Sequence, residues 1–130
     1  MLDKEKYWLD LCDEDVTVAD LLLKGNKYLQ VGFFCHLIAE KALKAVIASI
    51  TDEVPPKIHD LHKLAKYGEI YNDLSEEHLI LFKELMPLHI DGRYPEYKAN
   101  ISKTLNAEKC ARIFEETEGF LCWIKKKLGR

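Results

Sequence analysis

The sequence lacks the segments that would place the protein in a membrane or direct it out of the cell. Its 130 residues contain no apolar run near the length of about 18 residues that crosses a bilayer. The first residues, MLDKEKYW, also lack the apolar segment of a secretory signal peptide. We therefore expect a cytoplasmic protein with no membrane contact.

The sequence also lacks the short motifs of the common enzyme classes. Neither a Gly-rich phosphate loop, nor G-x-S-x-G, nor H-E-x-x-H occurs. The four cysteines are widely spaced without a C-x-x-C pair, which favours buried, reduced thiols over disulfides or a metal site. The pair His59-x-x-His62 could place two imidazoles on one helical turn, but it supplies too few ligands for zinc. We predict no metal and no cofactor.

Composition and charge indicate an ordinary globular chain. Hydrophobic residues make up 48% and charged residues 32%, and the length is that of one domain, so we expect a single domain over residues 1–130. The net charge of −3 argues against a general attraction to nucleic acid, although a local basic patch would still allow binding.

Residues 27–51 have the pattern of a central helix around which the rest of the chain is organised. Wound at about 100° per residue, this stretch is apolar on most of its circumference. A narrow polar strip remains, made of Gln30, Glu40, Lys41 and Lys44. A helix of this kind must be covered on several sides. Its polar strip is therefore the first place to look for function.

Helical periodicity covers most of the remaining chain, and no alternating strand pattern occurs. The acidic run Asp13-Glu14-Asp15 is expected to face water on the first helix. The predicted fold class is all-α: an up-and-down bundle of four long helices plus one short helix. The predicted helices besides the central one span 4–24, a short stretch opened by His59-Asp60 with Asp60 as N-cap, 76–88 after the N-cap Ser75, and 106–128.

The segment 89–104 breaks the helical pattern with Gly92 and Pro95, and irregular segments of this length are often functional. Arg93 within it offers a planar fork for carboxylate or phosphate, and Tyr94 offers a flat face for stacking. The alternative is that Arg93 ties the segment to a helix end while the tyrosines fill the core.

The cations of the central helix are the other candidates for binding. Glu40 and Lys44 are spaced for an i,i+4 salt bridge, which is either a modest stabilising contact or part of a site. Lys41 lies near the apolar edge, where an ammonium group needs a partner or a ligand. If segment 89–104 folds over the polar strip, Arg93 comes close to the two lysines and to His59. These groups would repel one another unless an anion bound between them. The predicted ligand- or partner-binding residues are Lys41, Lys44, His59, Arg93 and Tyr94, with no catalytic residue.

Three stretches in this order resemble the HEPN domain family: A-E-K-A-L-K-A at 39–45, H-D-L at 59–61 and R-Y-P at 93–95. The resemblance spans almost the whole chain. It implies an up-and-down helical bundle that is frequently a homodimer. It also implies pairing, in many members, with a small nucleotidyltransferase in a toxin–antitoxin-like module.

Other HEPN members are metal-independent ribonucleases whose signature is an arginine followed, after four to six residues, by a histidine. In this chain no histidine follows any of the three arginines, Arg93, Arg112 and Arg130. We therefore predict a non-catalytic HEPN protein that binds a nucleotide, a nucleic acid or a partner nucleotidyltransferase. The alternatives are a diverged ribonuclease with a composite site from His59 and Arg93 across a dimer, and a purely structural interaction module.

Overall fold

The computed structural model of the protein describes residues 3–89, 99, 101 and 103–130. Within these residues the chain is helical and contains no strand, which confirms the predicted all-α bundle. The α-helices with described bounds are α1 (Lys4–Lys24), α2 (Tyr28–Ile50), α3 (Leu61–Tyr67), α4 (Glu76–Leu85) and α5 (Ala107–Lys127). Short 3-10 helices follow α3 and α4, at Tyr71–Asp73 and Met86–His89.

Local capping explains where the helices begin and end. The side chains of Asp3, Asp60, Ser75 and Asn106 each accept a hydrogen bond from a backbone N–H in the first turn of α1, α3, α4 and α5. After α1 the chain reverses at Asn26, whose φ of 60° is one that asparagine tolerates. The next helix therefore returns antiparallel to the first.

Part of the segment predicted to be irregular is helical. The 3-10 helix Met86–His89 enters it from one side, and residues 99, 101, 103 and 104 are helical on the other. The prediction for 89–104 was therefore wrong at these positions. Residues 90–98, 100 and 102 lie outside the described part of the chain.

Helix α2 is the centre of the bundle, as its apolar circumference predicted. Of its 23 residues, 13 are buried, compared with four of the 21 in α1. It packs against α1, α3, α4, α5 and the turn Met86–His89. Gly32 allows that turn to approach closely, because a Cβ at this position would lie 3.0 Å from Leu88 Cδ1. This close approach brings His89 beside α2.

The cysteines follow the prediction at three positions and depart from it at the fourth. Cys12, Cys35 and Cys110 are buried free thiols, and burial raises the pKa of Cys12 and of Cys35 to about 12, so these thiols are unreactive. Cys122 is exposed, because it lies on the outer side of α5. Among the described residues, no helix is both long and apolar enough to span a membrane.

The central position of α2 predicts a strong effect of charge in its core. Ala42 is fully buried, and Ala42→Glu should lower the free energy of unfolding by at least about 3 kcal/mol, because the carboxylate would be buried without a partner. The matched control is Ala111→Glu on the exposed side of α5, which should change stability by about 0.5 kcal/mol or less. Urea unfolding of both variants measures this. Equal stability of the two would show that α2 is not the core helix.

Candidate functional site

The candidate site is built around the buried carboxylate of Glu40. Its side chain is 6% exposed; Oε2 accepts a hydrogen bond from Lys44 Nζ at 3.0 Å, and Oε1 accepts one from His59 Nδ1 at 2.8 Å. Burial by itself raises the pKa of Glu40, but the hydrogen bonds from His59 and Lys44 together outweigh it and bring the pKa below the ordinary value. Glu40 is therefore ionised at neutral pH.

Lys44 is held inside the bundle instead of projecting from it. The residue is 8% exposed, and its ammonium group lies 5.7 Å from the centroid of the Trp8 ring in addition to its contact with Glu40. An ammonium over an indole face is attracted by the ring quadrupole. Lys44 therefore acts mainly by neutralising Glu40.

Lys41 has a different partner. Its Nζ lies 2.7 Å from Oδ2 of Asp15 on α1, and both side chains are largely covered, at 22% and 12% exposure. The expectation that the whole run Asp13-Glu14-Asp15 faces water was wrong at Asp15, because this carboxylate neutralises Lys41 across the α1–α2 interface. Lys41, near the apolar edge of α2, thus has the charged partner that its position required. That partner is Asp15 of the same chain and not a ligand.

Of the five predicted site residues, the structure brings two together. Lys44 and His59 meet at Glu40, whereas Lys41 pairs with Asp15. Arg93 and Tyr94 lie outside the described residues. The idea that the two lysines leave an excess of positive charge does not hold, because each has a carboxylate of its own.

His59 does not share a helical turn with His62, as the sequence had suggested. It precedes α3, and its side chain turns to Glu40, whereas His62 packs against the rings of Tyr71 and Phe82. The His59 side chain is 62% exposed, so one edge of the ring is fixed by a buried carboxylate while most of it faces solvent.

His36 belongs to the site and was missed from the sequence. It is fully buried, its Nε2 donates to the His59 carbonyl at 3.0 Å, and burial lowers its pKa to about 4. The ring is therefore neutral at pH 7, and its Nδ1 lone pair lies 3.7 Å from Glu40 Oε1 without a hydrogen-bond partner. The spacing of His36, Glu40 and Lys44 at i, i+4 and i+8 places them on one line of α2 and was the available signal.

His89 is the second residue that sequence reasoning missed. Its ring centroid lies 5.1 Å from that of His36 and 5.8 Å from that of His59, the latter pair being stacked with an interplanar angle of 26°. Its Nδ1 donates to the Met86 carbonyl. No local pattern marks it, because its position depends on how the turn Met86–His89 packs against α2.

The comparison with known families decides the identity of the fold. The sequence profile of the HEPN domain matches residues 5–128. This chain belongs to the HEPN domain family. The predicted family is thus confirmed, and the bundle around Glu40 is a HEPN fold.

Among solved structures, this HEPN chain is similar to the crystal structure of TT1696 from Thermus thermophilus. The two superpose with a TM-score of 0.70 and 18% sequence identity, over 97% of this chain and 99% of that one. At this identity the similarity shows the fold alone. No curated protein sequence matches this chain significantly.

Within this HEPN fold, the chemistry of the site lies in two imidazoles, the largely exposed ring of His59 and the half-buried ring of His89. The Nδ1 atoms of His59 and His89 donate to protein oxygens, which leaves Nε2 of each ring as the atom for outside contacts. No three histidine, cysteine, aspartate or glutamate side chains among the described residues are arranged to hold a metal ion. We call the exposed surface of His59 and His89 the histidine face.

The buried, neutral His36 predicts a pH dependence of stability. Its pKa is about 4 in the folded protein, against an ordinary value of 6.5, so the unfolded chain binds more protons between these values. The free energy of unfolding should therefore fall as the pH drops through this window, by about 3 kcal/mol in total from this group. His78, whose pKa burial also lowers, acts in the same direction, and so does Glu40 below its ordinary value of 4.5.

Urea unfolding at pH 7.5, 6.0 and 5.0 measures this dependence. His36→Gln should reduce the slope of stability against pH without abolishing it. The control is Ile38→Val, a core change in the same helix that removes no titrating group and should keep the wild-type slope. An unchanged slope in His36→Gln would mean that His36 is not the buried neutral imidazole described above.

Proposed function

We propose that this HEPN protein binds a phosphate-bearing ligand, a nucleotide or an RNA, on its histidine face. One observation carries the proposal: a largely exposed imidazole, His59, is fixed by the buried carboxylate of Glu40 and stacked beside a second imidazole, His89. A surface side chain held in this way is preorganised, so a ligand that contacts it loses little conformational entropy on binding.

Electrostatics support an anion as the ligand. An ionised carboxylate beneath the face would repel phosphate, but Lys44 neutralises Glu40 at 3.0 Å. The charge of the face is then set by its imidazoles. When protonated, these present N–H donors to phosphate oxygens in charge-assisted hydrogen bonds.

Arg93 and Tyr94 enter the proposal from the sequence, as the fork and the stacking wall of the same site. Arg93 is four residues beyond His89. An extended chain spans at most about 3.6 Å per residue, so a connection of four residues is a short one. The chain length therefore supports a shared site.

Family membership supports the wider setting of the proposal. It favours a single HEPN domain over 1–130 that works in the cytoplasm as a homodimer. It also favours pairing with a small nucleotidyltransferase in a toxin–antitoxin-like module. Carboxylates of that partner would be a second kind of anion for the histidine face.

The proposal predicts which variants lose ligand. His59→Ala, His89→Ala and Arg93→Ala should each weaken binding of ATP and of a ten-nucleotide single-stranded RNA about tenfold or more, as expected for the loss of one charge-assisted hydrogen bond. The matched control, His62→Ala, should bind as the wild type does, because His62 packs against Tyr71 and Phe82.

Isothermal titration calorimetry gives the affinities, and a urea melt of each variant gives its stability. Loss of folding in Arg93→Ala without loss of a ligand would identify this arginine as a structural tie. Absence of binding of either ligand by the wild type would leave the structural interaction module as the better account.

A second function, ribonuclease activity, is favoured by one specific observation. His59 has its Nδ1 held by a carboxylate, and a second imidazole lies 5.8 Å away, centroid to centroid, which is the arrangement of a general base and a general acid. One ring would take the proton of a 2′-hydroxyl as its oxygen attacks phosphorus. The P–O5′ bond would break as the other ring protonates the leaving oxygen, giving a 2′,3′-cyclic phosphate and a 5′-hydroxyl.

The two functions differ in the fate of the RNA in the binding experiment. We expect the RNA to stay intact, because the family's arginine–histidine signature is absent. Cleavage to 2′,3′-cyclic ends in the presence of EDTA, lost in both His59→Ala and His89→Ala, would instead establish the ribonuclease.

A further inference from the structure

A second surface feature lies at the C-terminal end of α2. Three large apolar side chains are exposed there: Ile50 at 49%, Val54 at 75% and Tyr67 at 59%. They come from the end of α2, the loop that follows it and the end of α3. All three line one groove of about 330 Å³. We call this groove the acidic slot, because the charged side chains that line it are acidic.

The charged side chains that line the acidic slot are Glu53 and Glu69, both acids. Three neighbouring lysines have other partners. Lys4 Nζ donates to the Asp52 carbonyl at 2.8 Å, and Lys66 Nζ lies 4.9 Å from the Tyr71 ring centroid. Lys127 Nζ lies 3.1 Å from Asp73 Oδ2. The described part of the groove thus combines apolar side chains with two acidic ones.

The fold requires neither the exposed apolar side chains of this groove nor its two acidic ones. Single exposed apolar residues are ordinary, but three in one groove form a patch of the kind that marks an interaction site. Glu69 has a φ of 59°, a left-handed conformation in which glycine or asparagine is the usual residue. The backbone therefore gives no reason for a glutamate at this position.

We propose that the acidic slot docks a segment of a partner protein that carries an apolar side chain flanked by lysine or arginine. The apolar side chain would cover Val54 and Tyr67, and the flanking cations would pair with Glu53 and Glu69. Complementary charge of this kind selects a partner and steers its approach. Ile50 is ten residues beyond Glu40, about 15 Å along the helix, so this inference does not depend on the phosphate site.

The test uses phage-displayed random 12-residue peptides, selected on the wild-type chain and counter-selected on Val54→Glu. The expected result is enrichment of peptides with an aromatic or aliphatic residue next to lysine or arginine. Synthetic versions should bind Val54→Glu and Glu69→Lys at least tenfold more weakly than the wild type. The control is Leu21→Glu on α1, an equally exposed apolar residue at 65% that should leave peptide binding unchanged.

Circular dichroism melts of the variants confirm that each is folded. Failure to enrich any peptide family, enrichment of acidic peptides, or binding that Val54→Glu leaves unchanged would each overturn the proposal. Light scattering adds a further arm: if the wild type is a dimer that Val54→Glu converts to a monomer, a second copy of this chain occupies the groove and the proposal is wrong. None of these variants touches the histidine face.

Discussion

Glu40 is a carboxylate placed almost completely inside a helical bundle, and the arrangement of the site depends on how its charge is compensated. A buried charge is stable only when it is paired, and removal of one partner of such a pair costs about 3–5 kcal/mol. Lys44 supplies one partner from the same helix, and His59 supplies the other from the loop before α3. Movement of His59 away from α2 would leave Oε1 of the buried Glu40 carboxylate without its hydrogen-bond donor, so the loop is held against the core.

A buried ionic network is weak evidence for stability, because a well-packed apolar cluster of the same volume often stabilises a protein as much or more. This network instead fixes the positions of the histidine side chains. Glu40 fixes one edge of the His59 ring, His36 holds the His59 backbone, and stacking places His89 beside it. The resulting surface holds a largely exposed imidazole in a fixed position, which is why we propose ligand binding there.

The helices could be predicted from the sequence because their signals are local. The periodicity of 4–24 and the N-cap Asp60 depend on residues within a few positions of one another, and the structure reproduces both. The pairing of Lys41 with Asp15 could not be predicted, because it depends on the register of α1 against α2. His36 was recoverable from its spacing to Glu40, whereas His89 was not, since its approach depends on the missing Cβ of Gly32.

The tautomers of two histidines test the central role of Glu40 most directly, and long-range ¹H–¹⁵N NMR at pH 8 measures them. We expect the neutral His59 ring to carry its proton on Nδ1, facing Glu40, and His36 to carry its proton on Nε2, facing the His59 carbonyl. In Glu40→Ala, His59 should lose its single tautomer. A His59 ring protonated on Nε2 in the wild type, or one that Glu40→Ala leaves unchanged, would show that Glu40 does not position His59.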